Sequence, residues 1–207
     1  MTPEKLTLTE QDFISQGSHK KCFAYPGYKD RCIKIPYNAA GQIDLNREIH
    51  YLTHVLKKRG EQSGILPRYY GEVDTTLGAG HAFELIRDYD GAISQDIRGF
   101  LTASDVGALQ LTALHDSLLN LRDRMLRYRV ISMSIYPENI LYQKLTESTF
   151  RLMLINDMGS GAALPLEYYV VPLAKAKIKR YWNRFVDSLA TKANPAVTKI
   201  IVPGLKF

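Results

Sequence analysis

Arg31-Cys32-Ile33-Lys34-Ile35 is a strand-forming run with a lysine in its middle, and Glu48 follows fourteen residues after that lysine. Apolar and β-branched neighbours suit a half-buried strand. A lysine so flanked must reach water along its own stem or meet an acid, because an unpaired buried ammonium is costly. Glu48 is the acid on offer. It adjoins Ile49 at the margin of a stripe, Leu45, Ile49, Leu52 and Leu56, that recurs at helical spacing, so it can face a sheet. The residues alone leave the other arrangement open, an edge lysine and a surface glutamate that never meet.

The surroundings of this pair read as strands. Lys21 to Tyr25, a turn at Pro26-Gly27 and Arg31 to Ile35 predict an antiparallel hairpin. The helix of the Leu45 stripe follows, with Lys57 and Lys58 at the negative end of its dipole and Gly60 as a stop. Two more strands are predicted over Arg68 to Val73 and His81 to Ile86, separated by the turn-rich Asp74 to Gly80. After Gly91 the pattern turns helical. Leu111, Leu114, Leu118, Leu121, Met125 and Tyr128 form one long stripe, with Thr102 and Asp105 as a candidate cap before it. Short strands are expected at Ile140 to Tyr142 and Leu152 to Ile155, and a last helix buries Ile178, Tyr181, Trp182, Phe185 and Leu189. Strands followed by helices make an α+β chain, with a boundary between residues 1–90 and 91–207.

Three further segments carry polar residues where chemistry is possible. Ile14-Ser15-Gln16-Gly17-Ser18-His19-Lys20 is a polar turn whose backbone N–H groups could cover phosphate, although a plain hairpin explains one glycine as well. Ser132 to Leu141 delivers Asn139 just after Pro137, where an amide can cap a turn or reach a metal. Leu154-Ile155-Asn156-Asp157-Met158-Gly159-Ser160-Gly161 is an apolar strand running into an acid, which can hold a magnesium that bridges phosphates or cap a turn.

Composition bounds the rest. The 207 residues are 45% hydrophobic and 23% charged, in the ordinary globular range. No apolar run is long enough to cross a bilayer, and MTPEKLTLTEQDF lacks the order of a secretory signal, so a cytoplasmic location is expected. Cys22 and Cys32 are too few for a disulfide framework or a cysteine-only zinc site and read as small core residues. His50 and His54 are spaced i,i+4 without a third ligand in sight, as a surface pair would be. The net charge is +6, and after Gly161 eight cations (Lys175, Lys177, Lys179, Arg180, Arg184, Lys192, Lys199, Lys206) face only Glu167 and Asp187. A solvated helix face accounts for that; an acidic protein partner, an anionic lipid headgroup or a nucleic acid are the alternatives.

Strand lysine, helix glutamate, long helix, Pro137-Glu138-Asn139-Ile140-Leu141 and Asp157-Met158-Gly159 follow the serial order of the protein-kinase fold, which the chain resembles. Within that superfamily it resembles the YrbL-like family of PhoP regulatory network proteins, at Arg31 to Ile35, Pro67 to Tyr69 and Met133 to Leu141. The likeness extends to about Ser160 and is vague in the last forty residues. It implies a bilobal kinase-like fold with a small antiparallel-sheet N-lobe and a mostly helical, shortened C-lobe. It further implies ATP and magnesium as cofactors. Lys34 would then hold the α and β phosphates with Glu48 behind it, Asn139 and Asp157 would hold the metal, Gly17 would cover the phosphates, and the backbone of Glu84 and Ile86, in a hinge Phe83 to Ile86, would meet the adenine.

Departures from the pattern shape the functional expectation. Ser134 stands where the catalytic aspartate is expected, preceded by Ser132 and Met133 in place of His-Arg, and a serine hydroxyl does not accept a substrate proton as a carboxylate does. One loop glycine remains, and no Ala-Pro-Glu element follows Gly161. A pseudokinase or atypical kinase with a regulatory role follows. The alternative is an active phosphotransferase or nucleotidyltransferase on a small, sugar or lipid-linked substrate, in which another acid, such as Asp88 or Asp90, acts as base or none is needed. A basic nucleic-acid-binding module is the third reading, weakened by the lack of a zinc motif or an aromatic-and-basic recognition segment.

Overall fold

A computed structural model of the chain describes residues 5–59, 63–102 and 106–207. The fold is α+β, with two antiparallel sheets. Strands β1 (Phe13–Gln16), β2 (Lys20–Tyr25), β3 (Tyr28–Pro36), β4 (Tyr69–Thr75) and β5 (Gly78–Glu84) form a five-stranded sheet ordered β1-β2-β3-β5-β4. The β2–β3 hairpin turns at Pro26-Gly27, where Gly27 has φ +83°, a value that suits glycine.

β3 is the middle strand, and its side chains alternate between two apolar layers. Ile33 and Ile35 pack with Leu8 and Phe23 on one face, while Cys32 joins Leu45, Phe83 and Leu85 on the other. Cys22 packs against that second layer, and both cysteines are free thiols. Helix α1 (Ala39–His50) covers the second face, started by Asn38, whose side chain accepts from the Gly41 N–H at 2.8 Å. It continues without a break as a π-helical segment, Tyr51–Leu56.

The second sheet, ordered β6-β7-β8, is made by β6 (Gln95–Asp96), β7 (Ile140–Lys144) and β8 (Phe150–Leu154). Around it stand α2 (Arg98–Thr102), α3 (Ala108–Tyr128), α4 (Val171–Lys192) and α5 (Pro195–Ile201). Leu111, Leu114, Leu118, Leu121 and Met125 of α3 meet Ile178, Trp182, Phe185 and Leu189 of α4 in the main core. Tyr51, Val55 and Leu56 belong to that core too, so the helix that covers the first sheet is rooted among the helices.

Several expectations need correction. Asp74, Thr75 and Gly78 to Gly80 are strand residues, so the β4–β5 loop shrinks to a tight turn at Thr76-Leu77. Thr102 ends α2, its hydroxyl donating to the Arg98 carbonyl, and α3 starts instead after Gly107. The remaining part of that cap, Asp105, and the stop at Gly60 lie outside the described residues. Elements β6, α2 and α5 are too short for hydrophobic periodicity to register. Among the described residues no helix is long and apolar enough to cross a membrane.

Candidate functional site

Lys34 sits on β3 opposite Cys22 of β2 and His81 of β5, with its side chain only 9% exposed. An ammonium held that deep needs acceptors for its protons, and it has three. Nζ donates to Glu48 Oε1 at 2.9 Å, to the Ile155 carbonyl at 2.5 Å and to Asn156 Oδ1 at 3.1 Å. The strand lysine and the helix glutamate therefore meet, on a central strand and not on an edge.

Glu48 is itself shared. Its second carboxylate oxygen lies 3.5 Å from the Nζ of Lys20, so one buried acid stands between two ammonium groups. Burial alone would favour its neutral form, but the charges of Lys34 and Lys20 override this and hold its carboxyl below the usual range. The same balance acts on Lys34, where burial is outweighed by the neighbouring carboxylate and the ammonium is held above its ordinary value.

The segment after β8 is positioned by a ladder with residues 131–133. Met133 N–H donates to the Asp157 carbonyl at 3.0 Å, and Gly159 N–H to that of Ile131 at 2.8 Å. Asp157 has φ +58°, a left-handed conformation uncommon for a residue with a side chain. Its Oδ1 lies 3.9 Å from Arg47 Nη2, and Arg47 also pairs with Asp44 at 2.9 Å. Asn139, in a 3-10 turn after Tyr136, donates to the Ser134 carbonyl at 3.3 Å and accepts from Asn156 Nδ2 at 3.1 Å. Asn156 thus links Lys34 to Asn139 directly.

These groups border one cavity of about 440 Å³. Gly17, Lys34, Ser134, Asn139 and Asp157 are on its wall, and Glu48 supports Lys34 from behind. Glu84 and Ile86 are not on this wall. Glu84 N–H donates to the Arg68 carbonyl and the Ile86 carbonyl accepts from Ser94 N–H, so these two of the expected hinge groups are engaged in the sheet and its exit. Asp88 is also elsewhere, its Oδ1 accepting from Ser94 Oγ at 2.5 Å and from Lys144 N–H at 3.0 Å, while Asp90 accepts from Ala92 N–H at 2.9 Å. The Gly17 turn departs from its predicted reason as well, since Gly17 has no positive φ and an added Cβ would meet only the Lys20 carbonyl, at 3.9 Å.

Lys20, Arg47 and Asn156 are wall residues that the sequence did not single out. A cation in a polar turn and an arginine on a helix read as solvated until the packing is known. Neither Lys20 Nζ nor Arg47 Nε has a hydrogen-bond partner among the described residues, although both atoms are buried. The anion nearest to Lys20 Nζ is the equally unpartnered Oε2 of Glu48, 3.5 Å away, so Arg47 Nε is the donor of the two with no acid assigned to it.

Asp157 and Asn139 offer one carboxylate and one amide oxygen, a hard-oxygen set that suits magnesium when phosphate and water complete its shell. Among the described residues no cluster of three His, Cys, Asp or Glu is spaced to hold a metal. His50 and His54 stack with ring centroids 4.8 Å apart.

The model of the PhoP regulatory network protein YrbL family matches residues 6–190. A protein of Escherichia coli (strain K12) designated uncharacterized protein YrbL is 31% identical over 183 residues, covering 87% of this chain and 86% of that protein. A Shigella flexneri protein of the same designation matches with the same identity and coverage.

Proposed function

The chain belongs to the PhoP regulatory network protein YrbL family, and from that premise we propose that it is a kinase-like nucleotide-binding protein with a regulatory role. On this reading residues 1–90 form the sheet lobe and residues 91–207 the helical lobe of a protein-kinase-like fold. One observation carries it: Lys34, Asn139 and Asp157, far apart in sequence, border a single cavity, with Glu48 salt-bridged to the lysine at 2.9 Å.

Each residue has a role that its geometry supports. Lys34 and Lys20 neutralise phosphate oxygens, held in place by the carboxylate between them. Asp157 and Asn139 would hold magnesium, which would supply positive charge to neutralise phosphate. Gly17 covers the phosphates. Adenine contact through the Glu84 N–H or the Ile86 carbonyl belongs to the proposal only with a rearrangement of the hydrogen bonds that these two groups now make. Ser134 on the wall supports a pseudokinase or atypical enzyme, because a hydroxyl lacks the charge and basicity to take a substrate proton. We assign it to the cytoplasm.

A thermal melt with ATP and magnesium tests this. Saturation at a hundredfold over Kd stabilises by about 2.7 kcal/mol, a rise of roughly 5–10 °C for a domain of this size. Lys34→Ala should abolish the rise. An unchanged rise in that variant removes the residue assignments, and no rise in the wild type removes the nucleotide reading.

A second reading, an active phosphotransferase or nucleotidyltransferase on a small, sugar or lipid-linked substrate, is favoured by the carboxylates of Glu138 and Asp44 on the same wall. Mass analysis of the protein and of candidate substrates after incubation with ATP and magnesium separates the readings, since added phosphate or AMP appears only under the second.

A further inference from the structure

Exposed large apolar side chains are ordinary when they occur singly, and a contiguous group of them marks a surface that meets something apolar. Between residues 164 and 173 the group is dense. Leu164 is 79% exposed, Leu166 57%, Tyr169 77%, Val170 42%, Val171 40% and Leu173 45%. The segment is not loose. Tyr168 in its centre is buried, its hydroxyl accepting from Ser160 N–H at 2.6 Å and its carbonyl accepting from Arg59. The backbone is pinned with these apolar side chains left outside.

Beside them lies a depression of about 420 Å³ lined by Leu126, Arg127, Arg129, Val171, Lys175 and Lys179. Val171, Lys175 and Lys179 recur every four residues on α4 and so form one stripe. None of the four cations is in an ion pair among the described residues. The sole acid between Asp157 and Asp187 is Glu167, which is bound to Lys177 and Ser160, so it does not offset them. Phe207, 40% exposed, places its ring 5.1 Å from the Lys179 ammonium and extends the apolar border.

We propose that this surface docks on an anionic lipid bilayer, with residues 164–173 entering the headgroup boundary and Arg127, Arg129, Lys175 and Lys179 reaching lipid phosphates. Apolar side chains flanked by long cations are the composition of an interfacial anchor, and the stems of Lys and Arg bridge the two depths. Side chains as exposed as Leu164 and Tyr169 project from the surface and do not line a groove. A protein partner would need pockets matched to them, whereas acyl chains yield to any shape. A nucleic acid would use the cations and leave the apolar group wet.

Sedimentation of the full chain with vesicles tests the proposal, using phosphatidylcholine alone and phosphatidylcholine mixed with phosphatidylglycerol. Binding is expected only to the mixed vesicles. Lys175→Gln with Lys179→Gln should weaken it by about fivefold per cation, and added salt should weaken it further. Leu164→Ser with Tyr169→Ser should weaken it by about tenfold or more. All four positions are exposed, so the melting temperature should hold in both variants. No binding to mixed vesicles overturns the proposal. So does binding that the Leu164→Ser, Tyr169→Ser variant retains in full, which would leave the cations as a site for an acidic protein or nucleic acid.

Discussion

Tyr51 and Tyr168 meet with their ring centroids 5.1 Å apart, joining the helix that carries Glu48 to the segment that follows Asp157. The Tyr51 hydroxyl donates to the Arg129 carbonyl at 2.8 Å and accepts from the Ile131 N–H at 2.9 Å. Gly159 fits beneath the pair at φ +98°, where a Cβ would come within 2.8 Å of the Tyr168 hydroxyl.

Tyr51→Phe should therefore leave the Ile131 N–H and the Arg129 carbonyl without that partner inside the core. The expected loss is about 1–3 kcal/mol, read from urea unfolding. Gly159→Ala should cost more than a surface glycine change, because it combines the contact with Tyr168 with a left-handed backbone that alanine resists. Equal costs for Gly159→Ala and for Gly99→Ala, where an added Cβ meets nothing within 4 Å, would remove the role given to this junction.

Glu48→Gln and Lys34→Met should be unequal. Removing the acid strands two buried ammonium groups and should cost about 3–5 kcal/mol, whereas removing Lys34 leaves Glu48 with Lys20 and should cost less. Urea midpoints of the two variants check the order. If Lys34→Met proves the more damaging, Lys20 does not share the carboxylate in solution.

The same trio sets a pH dependence. Glu48 has its carboxyl lowered from 4.5, so its contribution is complete above that value and fades as pH falls toward the lowered one. Lys34 has its ammonium raised from 10.5, so its contribution is complete below that value and fades as pH climbs toward the raised one. Stability of the wild type relative to Glu48→Gln should be flat between about pH 5 and pH 10 and shrink on either side. A difference that stays constant down to pH 2 would contradict the depressed carboxyl.

Asp157→Gly should separate folding from binding. Its left-handed backbone costs about 1 kcal/mol, which glycine relieves, and the lost ion pair with Arg47 is long, at 3.9 Å. The variant should melt at or above the wild-type temperature and yet lose the stabilisation by ATP and magnesium. A variant that keeps the full response would remove Asp157 from the metal site.

The sequence made four strands of the first sheet and the long helices legible through strong local signals, a lysine inside an apolar strand and stripes with three- and four-residue steps. It left the Lys34–Glu48 pairing open and read Phe13–Gln16, which is β1, as part of a leading segment and a polar turn. What it hid depended on distant partners. Lys20 and Arg47 carry no apolar context, so only packing against Glu48 and Asp157 distinguishes them from solvated cations. The carbonyl of Ile86 carries no local sign that Ser94 uses it. The π-helical segment at Tyr51–Leu56 is invisible to periodicity, because six residues cannot separate one helical period from another.

Asn156 holds a proton of Lys34 that any ligand reaching the ammonium would compete for. Because its Oδ1 already satisfies the third proton of Lys34, an incoming ligand trades places with a resident amide and does not fill an idle donor. The bond to be displaced is already charge-assisted on the ammonium side, so a neutral acceptor gains nothing from that swap, and an anionic oxygen gains only through the charge that it brings itself. On the nucleotide reading, a preference for anions at Lys34 would act through displacement of a side chain that carries no charge.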